Sequence, residues 1–73
     1  MQDEILQRVQ AGIEQSQVTV TIDGNRALIE VESPIFADLS RVQRQQAVYQ
    51  CIESYIADGT LHAVTIKAAP PAD

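Results

Sequence analysis

Apolar residues recur along this chain in two rhythms, and the changes of rhythm divide it into five elements. Ile5, Leu6, Val9 and Ile13 return at the three- and four-residue spacing of one helix face, which predicts an amphipathic helix over Asp3–Gln15. Asp3 and Glu4 fall in its first turn, where carboxylates meet the positive end of the helix dipole. From Val18 the period drops to two: Val18, Val20 and Ile22 alternate with Thr19 and Thr21, the pattern of a strand with one face buried. Asp23-Gly24-Asn25 is a turn signal, because Gly and Asn tolerate positive φ. Ala27, Ile29 and Val31 then alternate with Leu28, Glu30 and Glu32, a second strand whose outward face ends in carboxylates. The two strands make a hairpin.

Ser33-Pro34 breaks the second strand, and residues 35–38 cross to the next element. Ser40 followed three residues later by Gln43 is a capping-box signature, which starts a helix running to about Asp58. Its buried stripe is predicted to be Val42, Val48, Tyr49, Ile52, Tyr55 and Ile56, and Gly59 supplies the stop. Leu61–Ala68 reads as a third strand, with Pro70-Pro71 ending regular structure and residues 69–73 left as a short tail. A strand, a helical crossover and another strand favour a parallel, right-handed connection. The predicted fold is α+β, in the order α-β-β-α-β: a mixed three-stranded sheet with both helices on one face, in a single domain over 1–73.

Composition narrows the function. A chain of 73 residues has room for one modest core and little room for a deep private pocket. A hydrophobic share of 45% makes it globular. One cysteine, Cys51, allows no disulfide framework and suits a reducing cytoplasm. Met1-Gln2-Asp3-Glu4 lacks the basic start of a signal peptide, and no run approaches the roughly 20 apolar residues of a membrane span. Five basic against ten acidic side chains leave a net charge of −5, which repels a phosphate backbone unless cations are focused. Arg41 and Arg44 open the second helix together, while Arg8, Arg26 and Lys67 are scattered. Ser16, Ser33, Ser40 and Ser54 have one histidine to share, Glu30 and Glu32 point outward, and there is no P-loop, dinucleotide fingerprint or CXXC. An enzyme is not expected.

The element order, Phe36, the run Ser40-Arg41-Val42-Gln43-Arg44-Gln45-Gln46-Ala47-Val48-Tyr49, Tyr55-Ile56-Ala57-Asp58 and Leu61-His62-Ala63-Val64-Thr65-Ile66-Lys67-Ala68 resemble the acid-stress (IbaG-like) branch of the BolA family. Asp23-Gly24 matches the hairpin turn of that branch, and the resemblance spans essentially the whole chain. It implies a fold similar to a type II KH domain. It also implies a small cytoplasmic adaptor that pairs with monothiol glutaredoxin and can share a [2Fe–2S] cluster with glutaredoxin and glutathione, in iron–sulfur trafficking or stress response. Some members are implicated in DNA binding. RNA is not expected, because the GXXG loop of RNA-binding KH domains has no counterpart at Gly12, Gly24 or Gly59.

His62 is the one histidine, and strand parity places it with Val64 and Ile66, on the helix-packed face at the mouth of the strand. On residues alone, a partly buried structural histidine donating to a carbonyl stays open beside a ligand role. The resemblance implies the ligand, since imidazole can replace thiolate on one iron of such a cluster. Relatives often carry His or Cys in the hairpin loop, here Asp23, Gly24, Asn25 and Arg26, and the matching position is Arg26. Arginine has no acceptor lone pair, and Asp23 and Asn25 are hard donors for a soft centre. Docking without a cluster, or a labile cluster, is the expectation that follows. Cys51 falls on the helix flank in a ridge with Arg44, Val48 and Tyr55, where a small packing residue is expected. Its alternative is a thiol with pKa lowered by Arg44. Arg41, Arg44 and Lys67 are candidate contacts for carboxylates of a partner or, if the protein is a DNA-binding regulator, for phosphates.

Overall fold

The computed structural model describes residues 1–71. Helix α1 spans Gln2–Gly12, strands β1 and β2 span Gln17–Asp23 and Arg26–Glu32, a 3-10 helix covers Pro34–Asp38, helix α2 spans Arg41–Ala57 and strand β3 spans Ala63–Ala69. The sheet order is β1-β2-β3, antiparallel in the hairpin and parallel across the α2 crossover. Val20, Ile29 and Ile66 lie side by side across the three strands, flanked by the rows Val18-Val31-Ala68 and Ile22-Ala27-Val64. These rows form the inner face. α1 packs on β1 and α2, and α2 packs on β3, so both helices cover that face. Thr19, Thr21, Glu30, Thr65 and Lys67 are exposed on the other.

The α2 start is built as its sequence predicts. The Gln43 amide donates to Ser40 Oγ at 3.2 Å, while the Ser40 amide donates to Gln43 Oε1 at 2.9 Å. Two N–H groups that no helical carbonyl can reach are thereby satisfied. Past the other end, Gly59 takes φ +82°, which a side chain would strain.

The structure departs from the sequence expectations in several places. α1 stops at Gly12; Ile13 is extended and Gln15 takes φ 52°, because the chain must reverse into β1 within four residues. Ile13 still reaches the core, at 2% exposure. The connection after Ser33 is a 3-10 helix with Pro34 at its start, and Phe36 within it is fully buried. β3 runs from Ala63 through Ala69, so buried Leu61 precedes the strand and the tail begins at Pro70. Residues 72 and 73 of the predicted tail lie outside the described residues.

The predicted α2 stripe is half right. Val48 and Ile52 are fully buried, and Tyr55 and Ile56 half-buried, but Val42 and Tyr49 are 64% and 42% exposed. α2 lies beside the edge strand of a narrow sheet, and among the described residues no fourth strand covers the flank that overhangs it.

Cys51 sits where the helices meet. A β-carbon placed on Gly12 would come within 2.6 Å of its Sγ, so the missing side chain at Gly12 is what admits the sulfur. The thiol donates to the Ala47 carbonyl at 3.4 Å, and burial pushes its pKa up. The alternative of a thiol activated by Arg44 is therefore corrected. Arg44 Nε donates to the Phe36 and Leu39 carbonyls at 2.8 and 3.1 Å, tying α2 to the 3-10 helix.

Candidate functional site

The end of α2 delivers His62 to the tip of the hairpin. The Thr60 amide donates to Asp58 Oδ1 at 2.9 Å, closing a tight turn, and hydrogen bonding from the Thr60 side chain first, then from its amide, holds the Asp58 carboxyl below its ordinary pKa. The Leu61 amide then donates to Tyr55 O at 3.0 Å, and its side chain enters the core. With Leu61 anchored inward, the next residue emerges at the surface. His62 N and Ala63 N both donate to the Asn25 carbonyl, at 3.0 and 3.4 Å, fastening the start of β3 to the hairpin turn.

Within that turn, Gly24 takes φ +61° and Asn25 does not share the positive φ, as in a type II′ hairpin. Asp23 pairs with Arg26, and Arg26 lies beside Ala63 across the parallel ladder. Asp23, Gly24, Asn25, Arg26 and His62 thus form one exposed corner. The sequence brought His62 and the loop together only by resemblance; the fold joins them through a backbone carbonyl.

One detail differs. Parity placed His62 on the helix-packed face with Val64 and Ile66, yet it is exposed, and so is not the partly buried structural histidine of the alternative reading. The cause is the bend before Ala63, where two successive amides turn to the same acceptor and break the strand alternation.

As a ligand set, the corner offers one good soft-metal donor. Among the described residues no three His, Cys, Asp or Glu side chains gather to hold a metal ion. Cys51 is committed to the α1–α2 contact, and Arg26 adds positive charge where a donor would otherwise stand. The residues fit a single imidazole bond to a cluster whose other ligands come from elsewhere. They do not fit a cluster held by this chain alone.

The other candidates lie elsewhere. Arg41 and Lys67 line one groove, beside the far end of β3, but Glu30 and Glu32 line it too. Arg44 is half-buried and turned toward the 3-10 helix carbonyls, so Arg41 and Arg44 do not act as the pair their spacing suggests. Arg8, read as scattered, stacks 4.9 Å over the Tyr55 ring and donates to Ser54 Oγ, while Tyr55 Oη donates to Glu4 at 3.0 Å. Sequence reasoning missed Gln45, whose Nε2 donates to the Ile66 carbonyl at 2.8 Å on the open side of β3. No periodicity marks such a contact, because Gln45 lies on an exposed helix flank.

Comparison with known proteins agrees with this geometry. The chain matches the model for the family described as BolA-like protein over residues 13–73. It is 42% identical over 57 residues to the acid stress protein IbaG of Escherichia coli (strain K12), covering 78% of this chain and 68% of that one. BolA1 from Arabidopsis thaliana superimposes with a TM-score of 0.83 at 19% identity, over 96% of this chain and 90% of the other. A bolA protein homologue from Coxiella burnetii gives 0.79 at 25% identity, over 97% and 91%. The family match over residues 13–73 and the 42% identity to an acid stress protein settle the kinship: the chain belongs to the BolA-like family, in its IbaG subgroup.

Proposed function

We propose that this protein is a non-enzymatic cytoplasmic adaptor that docks on a monothiol glutaredoxin through the His62–hairpin corner. The observation that carries the reading is the exposed His62, fastened beside the turn by two backbone hydrogen bonds to Asn25. A side chain meant only for the core has no reason to be presented this way. A backbone anchored at 3.0 Å positions the imidazole without ordering a flexible loop, which lowers the entropy lost on docking.

In such a complex His62 would hold one position of a [2Fe–2S] cluster through its imidazole, the remaining ligands coming from outside this chain. Such a cluster, when shared, makes the complex an iron–sulfur carrier. Arg26 has no lone pair to offer and contributes no bond, so cluster retention would be weak and docking without cluster favoured. Three of the four serines are engaged structurally: Ser33 is buried and donates to the Glu14 carbonyl, Ser40 caps α2, and Ser54 accepts from Arg8, while the Ser16 hydroxyl is buried without a hydrogen-bond partner. This supports a binding role over catalysis.

The test mixes purified protein with a monothiol glutaredoxin, iron, sulfide and glutathione and records the visible spectrum. A cluster spectrum distinct from that of glutaredoxin alone, and lost in His62→Ala, supports the reading; an identical spectrum with parent and His62→Ala refutes the ligand role. A DNA-binding regulator is the rival, favoured by the meeting of Arg41 and Lys67 in one groove but opposed by Glu30 and Glu32 among them. DNA binding would weaken steeply with rising salt, whereas a complex held by iron ligation would not.

A further inference from the structure

We infer that the free edge of β3, with the flank of α2 beside it, is a self-association surface that pairs two copies of this chain about a two-fold axis near Ile66, and that Gln45 latches this edge shut in the monomer.

β3 is an edge strand, and parity shows which of its amides are unpaired. The Ala63 amide donates to the hairpin and the Ala69 carbonyl accepts from Ser33, so residues 63, 65, 67 and 69 face β2. The Ile66 carbonyl instead meets Gln45, so Val64, Ile66 and Ala68 present their backbone groups outward. A seven-residue strand with no proline and an open ladder is a template for pairing, which proteins commonly block by covering the edge. Gln45 covers one carbonyl with a side-chain amide in the place of a strand amide. Among the described residues, none covers the Val64, Ile66 and Ala68 amides in this way.

The helix flank beside this edge indicates the occupant. Gln45, Tyr49 and Glu53 line the groove along Ile66, which continues to Arg41 and Lys67 at its other end. Tyr49 is 42% exposed there. Arg41 and Glu53 stand at opposite ends of this flank, roughly 18 Å apart at 1.5 Å per helical residue. Their midpoint is Ala47, bracketed by Gln45 and Tyr49, which both line the groove with Ile66.

A two-fold axis at that level makes the surface complementary to itself. α2 of one copy runs antiparallel to α2 of the other, so Arg41 faces Glu53 of the second copy, and Gln45 faces Tyr49. Ile66 pairs with Ile66, and Lys67 falls opposite Thr65, so no like charges meet along the strands. The two sheets join into one of six strands, a closed isologous contact. A foreign strand would need no such symmetry in the charges of its host. The net charge of −5 on each copy opposes approach and keeps the association weak. The surface is centred four residues beyond His62, whose corner adjoins the end of the paired strands.

Sedimentation velocity from micromolar to millimolar protein tests the inference on the parent, Gln45→Ala, Arg41→Glu, Glu53→Arg and the double charge exchange. Removing the latch from both copies should tighten the dimer roughly tenfold, since each neutral hydrogen bond that must open opposes pairing modestly. Each single charge reversal should weaken the dimer, and the double exchange should restore it. In the Gln45→Ala dimer the Val64, Ile66 and Ala68 amides should be protected from hydrogen exchange, and in the monomer they should exchange freely. A Gln45→Ala protein that stays monomeric throughout, or that dimerises with these amides unprotected or with no sensitivity to the charge reversals, overturns the inference. So does protection of the same amides only on adding glutaredoxin or DNA, which would give the edge to another partner.

Discussion

Adding one methyl group at Gly12 tests whether Cys51 is a packing residue. In the folded chain the new β-carbon would stand 2.6 Å from Cys51 Sγ, well inside van der Waals contact, while the next nearest atom, Cys51 Cβ, would be an ordinary 3.9 Å away. The strain therefore comes from the sulfur. Rotating the thiol away breaks its bond to the Ala47 carbonyl and leaves few helical rotamers to choose from. Overpacking of this kind costs about 1–3 kcal/mol. Replacing glycine by alanine inside a helix returns about 0.5–1 kcal/mol, and less at the final residue of α1. Gly12→Ala should thus destabilise by about 1–2 kcal/mol, leaving a foldable domain at roughly 0.05–0.15 kcal/mol per residue of total stability. In a Cys51→Ala background the obstacle is gone, and the same change should be neutral or stabilising by up to about 1 kcal/mol. The assay is urea denaturation of the four proteins of this double-mutant cycle. An equal cost for Gly12→Ala in both backgrounds would refute the helix crossing described here and reopen other roles for the thiol.

Three further outcomes follow from the same structure. Ile52 is fully buried between α2 and the sheet, so Ile52→Ala should cost about 2–5 kcal/mol in denaturation; a variant as stable as the parent would mean that α2 faces the wrong way. Ser40→Ala removes the hydroxyl half of the capping box and should lower stability by about 0.5–2 kcal/mol, with Ser40→Asn largely retaining it. The Cys51 thiol has a raised pKa in the folded state, so the folded chain holds that proton more tightly than the unfolded one. Its contribution is complete below the unfolded pKa of about 8.5 and is lost as pH climbs through the folded value, so parent stability should fall relative to Cys51→Ala only at alkaline pH.

What the sequence made legible was whatever depends on local pattern. The alternation of Val18, Val20 and Ile22, and of Ala27, Ile29 and Val31, set the hairpin register, because a one-residue slip would turn those side chains to water. Ser40 and Gln43 marked the start of α2 through a contact three residues long. The misreadings needed distances that pattern does not hold. Val42 and Tyr49 lie near the apolar stripe, but the stripe reaches past the edge strand β3, so both stay exposed. His62 obeyed the carbonyl of Asn25 over strand parity. Arg44 was read as a surface cation because the 3-10 helix that uses its Nε was expected only as a crossing segment.

For the candidate site, the family resemblance named His62 and the hairpin, and the fold supplied the reason they belong together. Arg26 was legible from the start as a departure, since its chemistry is unambiguous wherever it lies. Replacing it by histidine adds an imidazole donor beside Ala63 and removes a charge. Loss of a shared cluster to a chelator should then slow relative to the parent. An unchanged rate, with the fold intact, would show that this position does not control retention.

Docking of a glutaredoxin partner, as proposed, falls at the corner built from His62 and the Asp23–Arg26 turn. A titration of isotopically labelled protein with an apo monothiol glutaredoxin, followed through backbone amide signals, tests it residue by residue. The largest perturbations should fall on Gly24, Asn25, Arg26, His62 and Ala63, and His62→Ala should weaken the complex while leaving the core signals in place. Perturbations centred on Arg41 and Lys67, or none at saturating glutaredoxin, would contradict it.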